Sequence, residues 1–137
     1  MLQDATLHFT LTHYRFHLTP REPLEMSAFN KGSTIRGGFG SAFRRLVCID
    51  LNLDCGACDL RYTCPYTKVF NPFVSPKAER LSKNQNIPRP FVVKPPLDVT
   101  TRYLLGGALT FDFIAVGEAI NYLGTEGNGA AKFFVLW

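Results

Sequence analysis

"ALTFDFIAVG", residues Ala108 to Gly117, alternates without a break: Leu109, Phe111, Phe113 and Ala115 share one face, Thr110 and Asp112 the other. A period of two over this length predicts a β-strand with one apolar and one polar face. Val116, Ala119, Ile120 and Leu123 then recur at helical spacing, which predicts a short helix directly behind it.

Upstream, the N-terminal segment alternates too, with Leu7, Phe9 and Leu11 opposite Thr6, His8, Thr10 and Thr12. The phase then flips, because Tyr14, Phe16 and Leu18 are apolar while His13, Arg15 and His17 are polar. A slip of one residue predicts a β-bulge near Thr12 and His13, which would gather His8, His13, His17 and Arg15 on one polar face. The plain alternative is a strand end that is buried on both sides or leaves the sheet. "TPREPLEMSAFNKGST" reads as a loop, and the spacing of Phe39, Phe43, Leu46 and Val47 predicts a helix from about Phe39 to Val47. "YTKVF" reads as a short strand, "RPFVVKPP" as an edge strand closed by Pro95 and Pro96, "GTEGNGA" as a loop and "KFFVLW" as a terminal strand. This mixture predicts an α+β fold, with helices on one face of an antiparallel sheet, similar to a ferredoxin-like unit with an inserted loop. One domain is expected over residues 1–137, with a cysteine-rich insertion at about 48–66 and a Pro/Lys-rich loop at about 71–90.

The bulk composition agrees with one packed body. At 137 residues, 46% of them apolar, the chain is large enough for a single core and is not a disordered tail. The net charge of +4 tilts it towards a polyanionic partner. The N-terminus lacks a basic start followed by an unbroken apolar run, so no secretion signal is read, and no stretch approaches the ~18 apolar residues of a membrane span. A cytoplasmic location is the resulting expectation, and there cysteines serve as thiols or metal ligands more often than as disulfides.

Cys48, Cys55, Cys58 and Cys64 form C-x6-C-x2-C-x5-C. Two thiolates of "CGAC" can grip one ion, with Gly56 allowing the turn between them. Four soft ligands in a short polar segment suit tetrahedral zinc acting as a structural clip and not as a catalyst. An iron–sulfur cluster and free or redox-active thiols are the alternatives.

"STIRGGFGSAFRRLVC", Ser33 to Cys48, sets Arg36 before two glycines and Arg44 and Arg45 further on. It is no dinucleotide loop, since Phe43 stands where the third glycine belongs, and no G-x-x-x-x-G-K-[ST] element exists. Two readings remain. One is a glycine-rich helix start with exposed arginines. The other is a phosphate cradle, in which Gly37, Gly38 and Gly40 offer free amides, Arg36, Arg44 and Arg45 offer guanidinium forks, and Lys31 extends the positive track. Such a surface suits RNA.

Together with "CGACDLRYTCPYTKVFNPF", "PRPFVVKPP" and "YLLGGALTFDFIAVGEAINYL", that stretch resembles the RAMP proteins of CRISPR systems. More narrowly, it is similar to the N-terminal half of the endoribonucleases that cut precursor CRISPR RNA, and the resemblance runs in order from about Ile35 to Leu123. It implies a ferredoxin-like fold related to the RNA recognition motif, an RNA partner, association with other CRISPR-associated subunits, and metal-independent cleavage by 2′-hydroxyl attack. Family members often carry a catalytic histidine around the first helix, where this chain has none; His13 and His17, on the first strand, are the catalytic candidates. Their plain alternative is a pair of solvated strand residues. The chain is then expected to be the RNA-holding half of a larger protein, an inactive fragment, a non-catalytic subunit holding guide RNA, or a zinc-clipped interaction domain. An exposed last strand would favour a homodimer.

Overall fold

The structure is a computed structural model that describes residues 8–77 and 87–123. "GTEGNGA", "KFFVLW" and the middle of the Pro/Lys-rich segment lie outside the described residues.

Three strands form one antiparallel sheet: β1 (Leu11–Leu18), β3 (Phe91–Lys94) and β5 (Leu109–Val116), in the order β1-β5-β3. A two-stranded ribbon joins β2 (Leu24–Glu25) to β4 (Arg102–Tyr103). Helix α1 (Lys31–Val47) connects the first strand to the cysteine segment, α2 (Pro65–Val69) follows that segment, and α3 (Ala119–Leu123) follows β5. The molecule is therefore a mixed α/β body with antiparallel sheets. Among the described residues no helix is long and apolar enough to cross a membrane.

The alternation in β5 works as read. Leu109, Phe111, Phe113 and Ala115 are buried and meet the stripe Ile35, Phe39 and Phe43 of α1. Phe39 sits amid Phe16, Phe70 and Phe113, with ring centroids 5.9, 5.9 and 4.8 Å away. Phe91 stacks on Phe113 at 4.9 Å and brings the edge strand into the same cluster. β5 ends at Gly117, whose φ of +60° turns the chain towards α3 in a conformation that strains any residue with a Cβ.

Four sequence expectations need correction. β1 contains no bulge: Leu11 to Leu18 pair with Val116 to Leu109 in unbroken register. The phase flip has another cause, because Phe9 and Leu11 lie exposed, before and at the mouth of the ladder, and the apolar face begins only at Tyr14. Secondly, "YTKVF" is helical. Pro65 pre-sets the first turn behind Cys64, and the helix lowers Val69 and Phe70 into the core. Thirdly, Val116 belongs to β5, so the short helix begins only at Ala119.

Fourthly, α1 starts two turns earlier than Phe39, at Lys31. Glycines at 32, 37, 38 and 40 argue against helix locally, each by about 1 kcal/mol relative to alanine. Packing overrides them, since Lys31, Ile35, Phe39 and Phe43, four apart, all turn inward. The glycines are not equivalent. A Cβ on Gly40 would stand 3.1 Å from the Phe70 ring, whereas one on Gly37 would meet nothing within 4 Å. Gly37→Ala should therefore stabilise the protein by about 1 kcal/mol in urea unfolding. Gly40→Ala should show no such gain, because the aromatic ring must shift.

Candidate functional site

α1 packs on one face of the three-stranded sheet; among the described residues the other face is open along its outer strands, where His13, Arg15, His17, Val92 and Lys94 are exposed. Regular alternation in β1 places His13, Arg15 and His17 there in a row, all exposed, while Thr12, Tyr14, Phe16 and Leu18 face the helix side. The register sets Arg15 opposite Asp112 and His17 opposite Thr110, and on the far side of β5 it sets Lys94 opposite Asp112.

Asp112 is the hub of this face, at 7% exposure. Arg15 grips it side-on, Nε donating to Oδ1 at 2.8 Å and Nη2 to Oδ2 at 3.1 Å. His13 Nε2 lies 3.0 Å from Oδ2. The hydrogen bond from Arg15 holds the Asp112 carboxyl far below the usual carboxylate range, His13 adds to this, and burial opposes it. An ionised carboxylate only accepts, so His13 carries a hydrogen on Nε2, and Nδ1 lies on the other edge of the ring. His17 Nδ1 shares a hydrogen bond with Thr110 Oγ1 at 3.1 Å. His8 precedes the strand and does not join the row.

The glycine–arginine stretch lies on the opposite side of the sheet, and its glycines do not offer the free amides expected of them. Because α1 begins at Lys31, Gly37, Gly38 and Gly40 are interior residues whose amides are committed to the helical ladder. Lys31 extends no positive track either. It is buried, and its Nζ donates to the Asp98 carbonyl at 2.7 Å, Asp98 Oδ1 at 2.9 Å and the Tyr103 hydroxyl at 3.0 Å. Arg36 and Arg45 are exposed on α1. Arg44 turns instead to the cysteine segment, its Nη2 donating to the carbonyls of Leu53 at 3.0 Å and Leu51 at 3.4 Å, with the guanidinium over the Tyr66 ring. The neighbouring Cys48 side chain raises the Arg44 guanidinium above its usual value, against burial, with Cys55 and Tyr66 contributing.

Cys48, Cys55, Cys58 and Cys64 all line one small cavity with Arg44's neighbour Tyr66, as free thiols. Among the described residues no three Cys, His, Asp or Glu side chains are gathered into a group ready to hold a metal. The donor chemistry is present; the thiols stand around the cavity wall.

Sequence reasoning singles out His13, His17 and Arg15 but marks Thr110 and Asp112 only as outward strand residues and gives Lys94 no role. An acidic residue flanked by phenylalanines in a core strand is the one local hint, since burial of a carboxylate demands a cation.

A family model described as an N-terminal domain, AF_1859_N, matches residues 9–125. The chain belongs to this family. The match spans β1 through α3 and so contains both the open sheet face and the cysteine segment. No curated protein and no solved structure matches the chain.

Proposed function

We propose that this chain is an RNA-binding module of the RAMP type, similar to the N-terminal half of the endoribonucleases that process precursor CRISPR RNA, and that RNA lies on the open sheet face. The observation that carries this reading is the row His13, Arg15 and His17 on β1, with Lys94 on the opposite edge strand and Asp112 between them. Cations supply phosphate contacts, and imidazole and guanidinium planes supply stacking surfaces for unpaired bases. The strand order β1-β5-β3, with α1 leading from one edge strand to the other, supports a ferredoxin-like unit, for it is the order its first three strands take. Helices on one face then leave the other for a ligand.

The two basic surfaces can be separated by experiment. Lys94→Ala combined with Arg15→Gln should weaken binding of labelled single-stranded repeat RNA at least tenfold and lower the salt slope by about 2. Arg36→Ala with Arg45→Ala, on the helix side, should change it less than twofold. The reverse ranking would move the interface to α1, and no binding at low salt by the parent chain would end the RNA reading.

A second reading, metal-independent cleavage, has its own observation in the His13–Asp112 pair. Nδ1 of His13 would take the proton of a 2′-hydroxyl as its oxygen attacks the adjacent phosphorus and the bond to the 5′-oxygen breaks; water would protonate that leaving oxygen, and the hydroxide left behind would take the proton back from His13. Arg15 would offset charge on the phosphorane. Incubation with chelator should then yield ends bearing 2′,3′-cyclic phosphate, and His13→Asn should abolish them while RNA is still bound. Binding without cutting in the parent chain leaves a guide-RNA-holding subunit.

A further inference from the structure

The RNA reading does not use the cysteine segment, yet its four thiols occupy structurally matched positions. Cys48 is the residue at which α1 ends, Cys64 the residue on which α2 begins, and Cys55 and Cys58 bracket a single 3-10 turn. They line one cavity of about 40 Å³. The chain around that cavity buries little: Ile49 is 78% and Leu51 50% exposed. Short polar links hold it, including the Asp54 carboxylate accepting from the Gly56 amide at 2.8 Å and the Arg44 bonds to Leu51 and Leu53. A segment with so few apolar contacts needs another source of order.

Arg44 shows what is missing. Its Nε is buried and has no acceptor, while its Nη2 reaches the carbonyls of Leu51 and Leu53 in the cysteine segment. A buried cationic donor without an acceptor is costly, and thiols are poor acceptors; thiolates are good ones.

We propose that the four cysteines draw in from the cavity wall to bind one zinc ion, and that Arg44 is the positioning residue that offsets the negative charge of the tetrathiolate centre. Uptake releases the four thiol protons as four Zn–S bonds of about 2.3 Å form, leaving the centre with two negative charges. The ion fastens the end of α1 to the start of α2, and α2 carries Val69 and Phe70 into the core. Loading therefore stabilises the whole body, and the centre, with four protein ligands, has no open position for catalysis.

The test is titration of the reduced full chain with cobalt(II) and then zinc. One equivalent of cobalt should produce the intense thiolate charge-transfer and tetrahedral ligand-field bands, and zinc should displace it. A thiol reagent should count four reactive cysteines before zinc and none after, and the thermal midpoint should rise on loading. Arg44→Gln should keep the cobalt spectrum but weaken zinc binding about 10–100-fold, while Arg45→Gln leaves it unchanged. Four thiols still reactive at saturating zinc would overturn the proposal. So would an iron–sulfur chromophore in the isolated protein, or a disulfide between Cys55 and Cys58. An Arg44→Gln chain that binds zinc as tightly as the parent would remove the role given to Arg44.

Discussion

Phe39→Ala should cost about 3–5 kcal/mol in urea unfolding, the range for emptying a buried aromatic position. Phe39 is 2% exposed and is the point where α1 meets both β5 and α2, through Phe113 and Phe70. Its ring also touches Phe16 on β1, so truncation leaves a void bordered by three separate elements. Elements held by different parts of the chain cannot collapse into that void together, which puts the cost at the upper end. Against a total stability of about 5–15 kcal/mol, a loss of about 5 kcal/mol removes a third or more of the folding free energy. A loss below about 1 kcal/mol would mean that the aromatic cluster does not hold the helix to the sheet.

Lys31→Met should produce the second-largest loss, lowering the thermal midpoint by several degrees and changing its pH dependence. Lys31 joins the start of α1 to Asp98 and to Tyr103 of β4, and methionine fills its place without satisfying either partner. Burial pushes the ammonium down, but the bonds to Tyr103 and Asp98 outweigh it, and the net direction is up. The hydrogen bond from Lys31, followed by those involving Thr100, holds Asp98 down at about 2. A depressed carboxyl contributes stability above its ordinary range and loses it as pH falls towards the folded value. The parent chain should therefore lose stability as pH falls from about 4 towards 2, and Lys31→Met should lose less over the same interval. At the alkaline end the raised lysine contributes up to its ordinary range, and the parent alone should weaken as pH climbs beyond it. Parallel curves for the two proteins would show that the buried ammonium is not coupled to Asp98.

These two residues also show where sequence reading runs out. Phe39 was legible as a core residue because its partners Phe43 and Val47 repeat at helical spacing within one turn or two. Lys31 was not. Its burial depends on Asp98 and Tyr103, some seventy positions away, and nothing near it in the chain announces them. The glycines between them made the error worse. Each weakens helix locally, so Arg36 to Gly40 looked like a helix start with amides to spare, when it is the middle of a helix held down by its apolar stripe.

The open face divides in the same way. That His13, Arg15 and His17 share one side of a strand follows from the pleat alone. That Asp112 stands between the first two follows only from the register joining β1 to β5.

Periodicity and spacing were enough to establish the strand from Leu109 to Ala115, the aromatic content of the core and the clustering of four cysteines, because these are properties of neighbouring residues and the fixed geometry of the backbone. Tertiary structure alone decided where α1 begins, that Lys31 is buried, that Arg44 reaches the cysteine segment, and that Asp112 holds Arg15 and His13. Those outcomes depend on the free energy of contacts between distant segments, which exceeds local preference wherever the two conflict.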